Sequence, residues 1–162
     1  DGKVTREEVP ALAYILGDEA SGSWFGKRLL ALHLYHKLDP VVDKDFRSTF
    51  NFEKDDIVNR VYQEQDANVF LASFMTFLGR HQEVPQIISL LEEGFQAFVD
   101  VHIKCYEGYQ ECPVHFVGSV AYHFQDVLRH VCAREEIQVG QIIKRPIDGL
   151  AKYHLDYILN VA

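Results

Sequence analysis

Two adjacent carboxylates, Asp18 and Glu19, are the residues in this sequence best suited to hold a polar ligand. They follow the short apolar run of residues 11–16 and Gly17, a pattern typical of a buried strand that ends at a turn. In open α/β sheets, ligands sit outside the carboxyl ends of the strands, so both carboxylates are expected there. A carboxylate in that position can accept hydrogen bonds from two vicinal sugar hydroxyls, each contributing about 1.5–3 kcal/mol. The alternative is that the two carboxylates only cap the following helix and interact favourably with the positive end of its dipole.

A second candidate site is the pair Gly118 and Ser119, much further along the chain. Residues 114–117 predict a strand, and an apolar stripe from Val120 to Val131 predicts the helix that follows. Glycine at this junction would let a ligand approach the backbone closely, and the free N–H groups at a helix start attract polar or anionic atoms. The alternative is an ordinary turn in which the pair serves only as connector and cap.

The elements between these two segments are helical in pattern. Ser21 and Gly22 are predicted to cap the first helix, whose inward face carries Phe25, Leu29, Leu32 and His36. Further helices are predicted over residues 39–50, 54–63, 67–79 and 85–106, and the third of these carries Phe70, Phe74 and Phe77 at helical spacing.

Residues 85–106 and the end of the chain carry two further apolar stripes. The first stripe predicts either a core helix or the interface of a homodimer, and it comprises Ile88, Leu91, Phe95, Phe98, His102 and Cys105. A strand over residues 138–144 and a helix that begins at Pro146 are predicted to close the chain. The inward residues of that helix are expected to be Ile147, Leu150, Ala151, His154 and Ile158.

Three segments of the sequence together resemble one known family. The segments LGDEASGSWFGKRLL (residues 16–30) and VHFVGSVAYHF (residues 114–124) are similar to two segments of the BadF/BadG/BcrA/BcrD-type ATPase family, in its N-acetylglucosamine kinase branch. A third segment, GQIIKRPIDGLAKYH (residues 140–154), is similar to the closing strand and helix of the same proteins. Their order and spacing also match, so the resemblance covers essentially the whole chain.

The resemblance implies an α/β fold, the actin-like ATPase (ribonuclease-H-like) C-terminal domain, with a large helical content. Residues 1–162 would form that domain, with a helical insertion at about 39–106. The activity it implies is transfer of a phosphoryl group from ATP, with Mg²⁺, to the 6-hydroxyl of N-acetylglucosamine. It also implies that Asp18 binds sugar hydroxyls with Glu19 as a second candidate, and that Gly118, Ser119 and Tyr122 flank the adenosine.

Two parts of the family pattern are not recognisable in this sequence: the Asp-Gly-Gly-type phosphate hairpin and the catalytic Asp of the N-terminal half. We therefore expect the chain to be the C-terminal part of a kinase, to contain no catalytic residue, and to need its N-terminal domain as a partner for turnover. Ala13 and Ala20 stand where the family has glycine. If either position requires a positive φ, alanine is strained there. The added methyl group near a sugar ring is also expected to alter which sugar fits.

Two other classes of function remain open. The same family includes activators of 2-hydroxyacyl-CoA dehydratases, which couple ATP hydrolysis to electron transfer through an iron–sulfur cluster held by cysteines. Cys105, Cys112 and Cys132 have no C-x-x-C spacing, which favours reduced thiols in a cytoplasmic protein over a cluster or a disulfide framework. The third class is a helical interaction module that keeps the fold without turnover.

Composition and histidine spacing exclude several other partners. The hydrophobic content of 48% and charged content of 25% are typical of one globular domain, and the net charge of -8 argues against nucleic-acid binding. The longest uncharged stretches are too short to span a bilayer, so no membrane partner is expected. His33 with His36, and His123 with His130, could each share a helix face, but a zinc site needs a third ligand that neither pair has.

Overall fold

The computed structural model describes residues 7–155, apart from the side chains of residues 148 and 152. The chain divides into two compact units, Asp1–Glu107 and Gly108–Ala162. The described part of the first unit contains helices and loops but no strand, whereas the second contains a small parallel sheet with helices. The organisation as one domain with a helical insertion at about 39–106 stays a prediction.

The first unit contains seven α-helices within its described residues. They are α1 (Ala13–Leu16), α2 (Gly22–Leu34), α3 (Pro40–Phe50), α4 (Lys54–Tyr62), α5 (Ala67–Ser73), α6 (Met75–Arg80) and α7 (Pro85–Phe98), and α7 continues as a π-helix over Val99–Ile103. The core between them is aromatic: Phe46 stacks on Phe74 at a centroid distance of 5.7 Å and meets Phe77 edge-on at 5.4 Å. All three rings are almost fully buried, as the spacing of the phenylalanines predicts for Phe74 and Phe77.

The strand predicted over residues 11–16 is wrong. This run forms the helical turn α1, in which Gly17 N–H donates to the Ala13 carbonyl at 2.9 Å. Ile15 and Leu16 are 71% and 75% exposed, and no described strand of this unit lies beside the run. A short apolar run fits a strand and a helical turn equally well by periodicity, so only the neighbouring backbone decides between them.

Helix α2 begins as the sequence predicts and ends earlier. Ser21 is its N-cap, since the Ser21 hydroxyl accepts a hydrogen bond from Trp24 N–H at 3.2 Å. The predicted face is correct at Phe25 and Leu29. It is wrong at Leu32, which is only half-buried, and at His36, which is exposed beyond the helix end. The other buried residues of α2 are Ser23, Gly26, Leu30 and His33.

The helix predicted over residues 67–79 is interrupted at Phe74, which separates α5 from α6. An unbroken helix would bond Phe74 N–H to the Phe70 carbonyl. Instead, the Ser73 hydroxyl donates to that carbonyl at 2.7 Å, and Phe74 N–H turns to the Leu71 carbonyl at 3.4 Å. The break therefore reflects a serine side chain that competes with the helical backbone for an acceptor.

The face of α7 differs in part from the predicted stripe. Leu91 and Phe95 are buried as predicted, whereas the other members of the stripe, Ile88, Phe98, His102 and Cys105, are only half-buried. The remaining buried residues are Ile87, Leu90 and Gly94 in α7 and Val99 and Ile103 in the π-helix. Gly94 belongs to this face because a side chain there would overlap the ring of Phe25 in α2. The buried part of this face belongs to the core of the unit, and a homodimer through the half-buried residues stays a prediction.

The second unit is built on two parallel strands, β1 (Val114–Val117) and β2 (Val139–Ile143), both close to their predicted positions. Their register pairs Val114 with Val139, Phe116 with Ile142 and Val117 with Ile143. The connection between them contains α8 (Ser119–His123) and α9 (Gln125–Arg134), and the predicted single helix is interrupted at Phe124. Phe124, Leu128 and Val131 are buried as predicted, whereas Val120 and Val127 are half-buried.

Helix α10 (Pro146–Tyr153) begins at the predicted proline, but its predicted inward face is wrong. Ile147 and Leu150 are more than half exposed, and Ala151 and His154 are exposed as well. Ile158 lies outside the described residues. The pattern of an amphipathic helix shows that an apolar face exists but not which element covers it. Among the described helices, none has the length and apolar character needed to cross a bilayer.

Candidate functional site

The loop between α1 and α2 has an unusual backbone. Asp18 and Ala20 both lie in the left-handed region, with φ of 57° and 58°, and Ala13 has φ of 57°. Such a conformation costs a residue with a Cβ about 1–2 kcal/mol, although aspartate adopts it more readily than alanine. The positive φ that would strain alanine is therefore present at both Ala13 and Ala20, and the effect on the fit of a sugar stays a prediction.

Asp18 offers its carboxylate to solvent. Its side chain is exposed and forms no hydrogen bond or ion pair within the part of the chain that the structure describes. Its backbone carbonyl accepts from Ser21 N–H at 2.9 Å, which closes the turn immediately before α2. The carboxylate is thus held at a helix start with all its acceptor positions available to a ligand.

Glu19 contacts a residue that is distant in sequence but belongs to the same unit. Its Oε2 atom lies 2.9 Å from Nε2 of His102, and the two side chains are 19% and 26% exposed. Partial burial opposes ionisation of Glu19, but its own backbone N–H, the His102 hydrogen bond and the nearby charges of His102 and Lys27 together lower its pKa. Glu19 is therefore ionised and anchored by His102, whereas the Asp18 side chain has no such anchor among the described residues.

Lys27 of α2 supports the other side of this loop. Its ammonium group donates to the backbone carbonyl of Tyr14 in α1 and also lies near the carboxylate of Glu19. Together with the Ser21 cap, this lysine ties α1 and the loop to the first turns of α2. Asp18, Glu19 and the loop that carries them thus rest on α2 and on the π-helix.

Gly118 occupies the junction between β1 and α8 in a conformation that only glycine adopts readily. Its φ is 142° and its ψ is 157°, and its N–H donates to the Ile143 carbonyl of β2 at 2.9 Å. A Cβ built at this position would have no atom within 4 Å, so the space beside the backbone is open. Both observations fit the predicted role of a backbone that a ligand approaches closely.

Ser119 and Tyr122 lie beside Gly118 in the same unit. Ser119 is the exposed first residue of α8, and the ring of Tyr122 is partly exposed, with Nζ of Lys144 5.5 Å from its centroid. Lys144, which contacts the Tyr122 ring, was not among the site residues predicted from the sequence. Its position at the carboxyl end of the predicted last strand could have identified it, because ligands in α/β folds gather at the carboxyl ends of parallel strands.

The candidate residues thus form two groups, one in each compact unit. Asp18 and Glu19 lie in the first unit, and Gly118, Ser119 and Tyr122 lie in the second. Each group is assembled by its own unit, through the anchored loop in the first case and the strand–glycine–helix junction in the second.

Histidines and cysteines form no metal centre in the described residues, which contain no group of three or more potential ligands. His33 is buried and bonds Asp43 at 2.6 Å, whereas His36 lies beyond the end of α2, so the two do not share a helix face. Cys112 is exposed and Cys105 half-buried. Burial raises the pKa of the Cys132 thiol to about 11, against a smaller opposing effect of Arg129.

Comparison with known proteins gives a match among solved structures but not among family models or curated proteins. No family model matches the chain, and no curated protein matches it. Among solved structures, the chain is similar to the crystal structure of a protein from Porphyromonas gingivalis described as a "putative N-acetylglucosamine kinase", with a TM-score of 0.86 and 32% identity. The match covers 92% of this chain and 52% of that protein, so this chain spans about half of its length. The mostly helical fold with its small parallel sheet therefore matches part of a sugar-kinase-like structure.

Proposed function

We propose that this chain is the C-terminal part of an ATP-dependent amino-sugar kinase of the BadF/BadG-type ATPase family, with the actin-like fold of its C-terminal domain. The observation that carries the proposal is the similarity to the Porphyromonas gingivalis protein over nearly the whole of this chain. The sugar is N-acetylglucosamine and the acceptor is its 6-hydroxyl. A cytoplasmic location and the need for an N-terminal kinase domain belong to the same proposal.

The exposed carboxylate of Asp18 supports the role of sugar ligand. An ionised carboxylate accepts two hydrogen bonds at once, which matches a pair of adjacent hydroxyl groups on a sugar ring. The strained loop presents Asp18 without a competing partner among the described residues. Glu19 lies next to it but is engaged by His102, so it supports the loop and is the weaker candidate for direct sugar contact.

The second group supports nucleotide binding. Open space beside Gly118 admits a flat adenosine group against the backbone, and the partly exposed ring of Tyr122 offers an edge of apolar surface. Mg²⁺ would enter as the complex with ATP, bound largely by phosphate oxygens, and would neutralise charge on the transferred group. No described cluster of side chains in this chain holds that ion.

The experiment that tests the proposal measures ADP release by the whole protein that contains this chain, with Mg²⁺ and ATP. The rate without sugar is compared with the rate for N-acetylglucosamine, glucosamine, N-acetylmannosamine and glucose. Strong dependence on an amino sugar is expected and ranks the substrates. Sugar-independent hydrolysis would favour the activator-type ATPase instead, and no hydrolysis under any condition would favour an interaction module.

A further inference from the structure

We infer that His102 is a positioning residue for the sugar-binding loop: it holds Glu19 and thereby keeps Asp18 in the backbone conformation that presents its carboxylate. The inference rests on the proposed function for the identity of the ligand, but the contact itself lies wholly within the first unit. Glu19 and His102 are 83 positions apart in sequence, and their side chains meet at 2.9 Å.

The backbone on both sides of Glu19 needs such an anchor. Asp18 and Ala20 each adopt a left-handed conformation, so the loop lies away from the conformations that its residues prefer. Strained backbone persists only where surrounding contacts over-determine it. Within the loop, the Ser21 N–H bond to the Asp18 carbonyl closes the turn, and the Glu19 side chain is the contact that ties this turn to a distant element.

The element that supplies His102 is itself irregular and firmly packed. Residues Val99–Ile103 form a π-helix, whose extra residue per turn changes the direction of the side chains that follow α7. Val99 and Ile103, on either side of His102, are buried in the core. The ring of His102 also packs on Phe98, at a centroid distance of 5.1 Å. These contacts fix the imidazole, so it serves as a rigid support for the more strained loop.

The charges around Glu19 define how the contact responds to pH. The described groups that face this carboxylate are His102 from the π-helix, Lys27 from α2 and its own backbone N–H. Because the pKa of Glu19 is lowered in the folded protein, the contact persists as the pH falls through the ordinary range of a glutamate. It is lost only when the pH falls through the lowered value, and with it the support of the loop.

The test compares His102→Ala and His102→Gln with His81→Ala as a matched control. His81 also bonds a carboxylate, that of Asp45 at 2.8 Å, and lies in the same unit at the end of α6. In the whole protein, His102→Ala is expected to raise the KM for the amino sugar about tenfold while leaving the KM for ATP within about twofold. Glutamine can still donate to Glu19, so His102→Gln is expected to recover most of the lost affinity.

A second readout needs neither sugar nor turnover. Amide hydrogen exchange of residues 17–21 is expected to become faster in His102→Ala at neutral pH and to stay unchanged in His81→Ala. Unchanged exchange in His102→Ala, or an unchanged sugar KM in an active enzyme, would overturn the inference. If the wild-type protein responds to no amino sugar, the proposed function fails on its own; faster loop exchange in His102→Ala then still supports the positioning contact.

Discussion

Gly26 in α2 lies directly against the backbone carbonyl of Leu71 in α5, and a Cβ at Gly26 would overlap that carbonyl group. The two helices approach this closely only because glycine has no side chain. Since the obstacle is backbone, it cannot rotate away as a flexible side chain would. Gly26→Ala is therefore expected to lower the free energy of unfolding by about 2–3 kcal/mol, measured by urea denaturation.

Gly149→Ala is the matched control for this substitution. Gly149 lies in α10 with no atom within 4 Å of an added Cβ. Alanine is the better helix former, so this variant is expected to match the wild type or to gain up to about 1 kcal/mol. Equal effects of the two substitutions would contradict the close α2–α5 packing.

Ala20→Gly is expected to stabilise the protein. Glycine relieves about 1–2 kcal/mol of strain in the left-handed conformation of residue 20. It also costs about 0.4–1 kcal/mol because the unfolded chain gains conformational entropy. The free energy of unfolding is therefore expected to rise by about 0.5–1 kcal/mol. Urea denaturation measures the difference. Ala31→Gly, in the last turn of α2, is expected to lose up to about 1 kcal/mol, so the opposite signs of the two variants report the local backbone conformation.

Asp18→Ala is expected to affect the sugar and not the nucleotide. Loss of two charge-assisted hydrogen bonds lowers kcat/KM for the amino sugar, which corresponds to a loss of about 2 kcal/mol or more of transition-state stabilisation. The KM for ATP is expected to stay within about twofold. Steady-state kinetics of the whole protein separate the two effects. Asp55→Ala, at an exposed position in the first turn of α4, is the control and should leave both constants unchanged.

Gly118→Val is expected to raise the KM for ATP, because a side chain would fill the space beside the backbone and strain a φ of 142°. Gly118→Ala shares the strain but adds little bulk. A larger increase in the KM for ATP with valine than with alanine would show that a ligand uses this space. Equal and small changes in both variants would identify the junction as an ordinary turn.

The three cysteines are expected to react with a thiol reagent in the order of their exposure. Cys112 is exposed and should be labelled first, followed by the half-buried Cys105. Cys132 is fully buried with a pKa of about 11, so its thiolate is scarce at neutral pH and labelling should require unfolding. Mass spectrometry of labelled peptides with and without urea provides the measurement. Rapid labelling of Cys132 in native protein would contradict its packing in α9.

Local signals in the sequence were enough to locate most helix starts and both strands. Ser21 and the prolines at positions 40, 85 and 146 determine where helices begin through capping and a fixed φ, which depend on few neighbours. The break at Phe74 depends on a single serine hydroxyl, and the exposure of residues 11–16 depends on which elements surround them. The spacing of hydrophobic residues therefore predicts neither the break at Phe74 nor the exposure of residues 11–16.

The candidate site was predictable to a similar degree. The segment around Asp18 was identifiable from its residues, and the possible strain at Ala13 and Ala20 followed from their place in the motif. The contact between Glu19 and His102 was not, because His102 fits an apolar stripe equally well as a core residue. Only the π-helix, which no spacing rule predicts, turns this side chain toward the loop.

The parallel pairing of β1 with β2 imposes an order on the folding of the second unit. Parallel neighbours cannot be joined by a tight turn, so the long connection that contains α8 and α9 must close before the first bond between the strands can form. The chain entropy of that closure is lost before the strand bonds compensate for it. Refolding of this unit is therefore expected to gain its helical signal first and its strand pairing last.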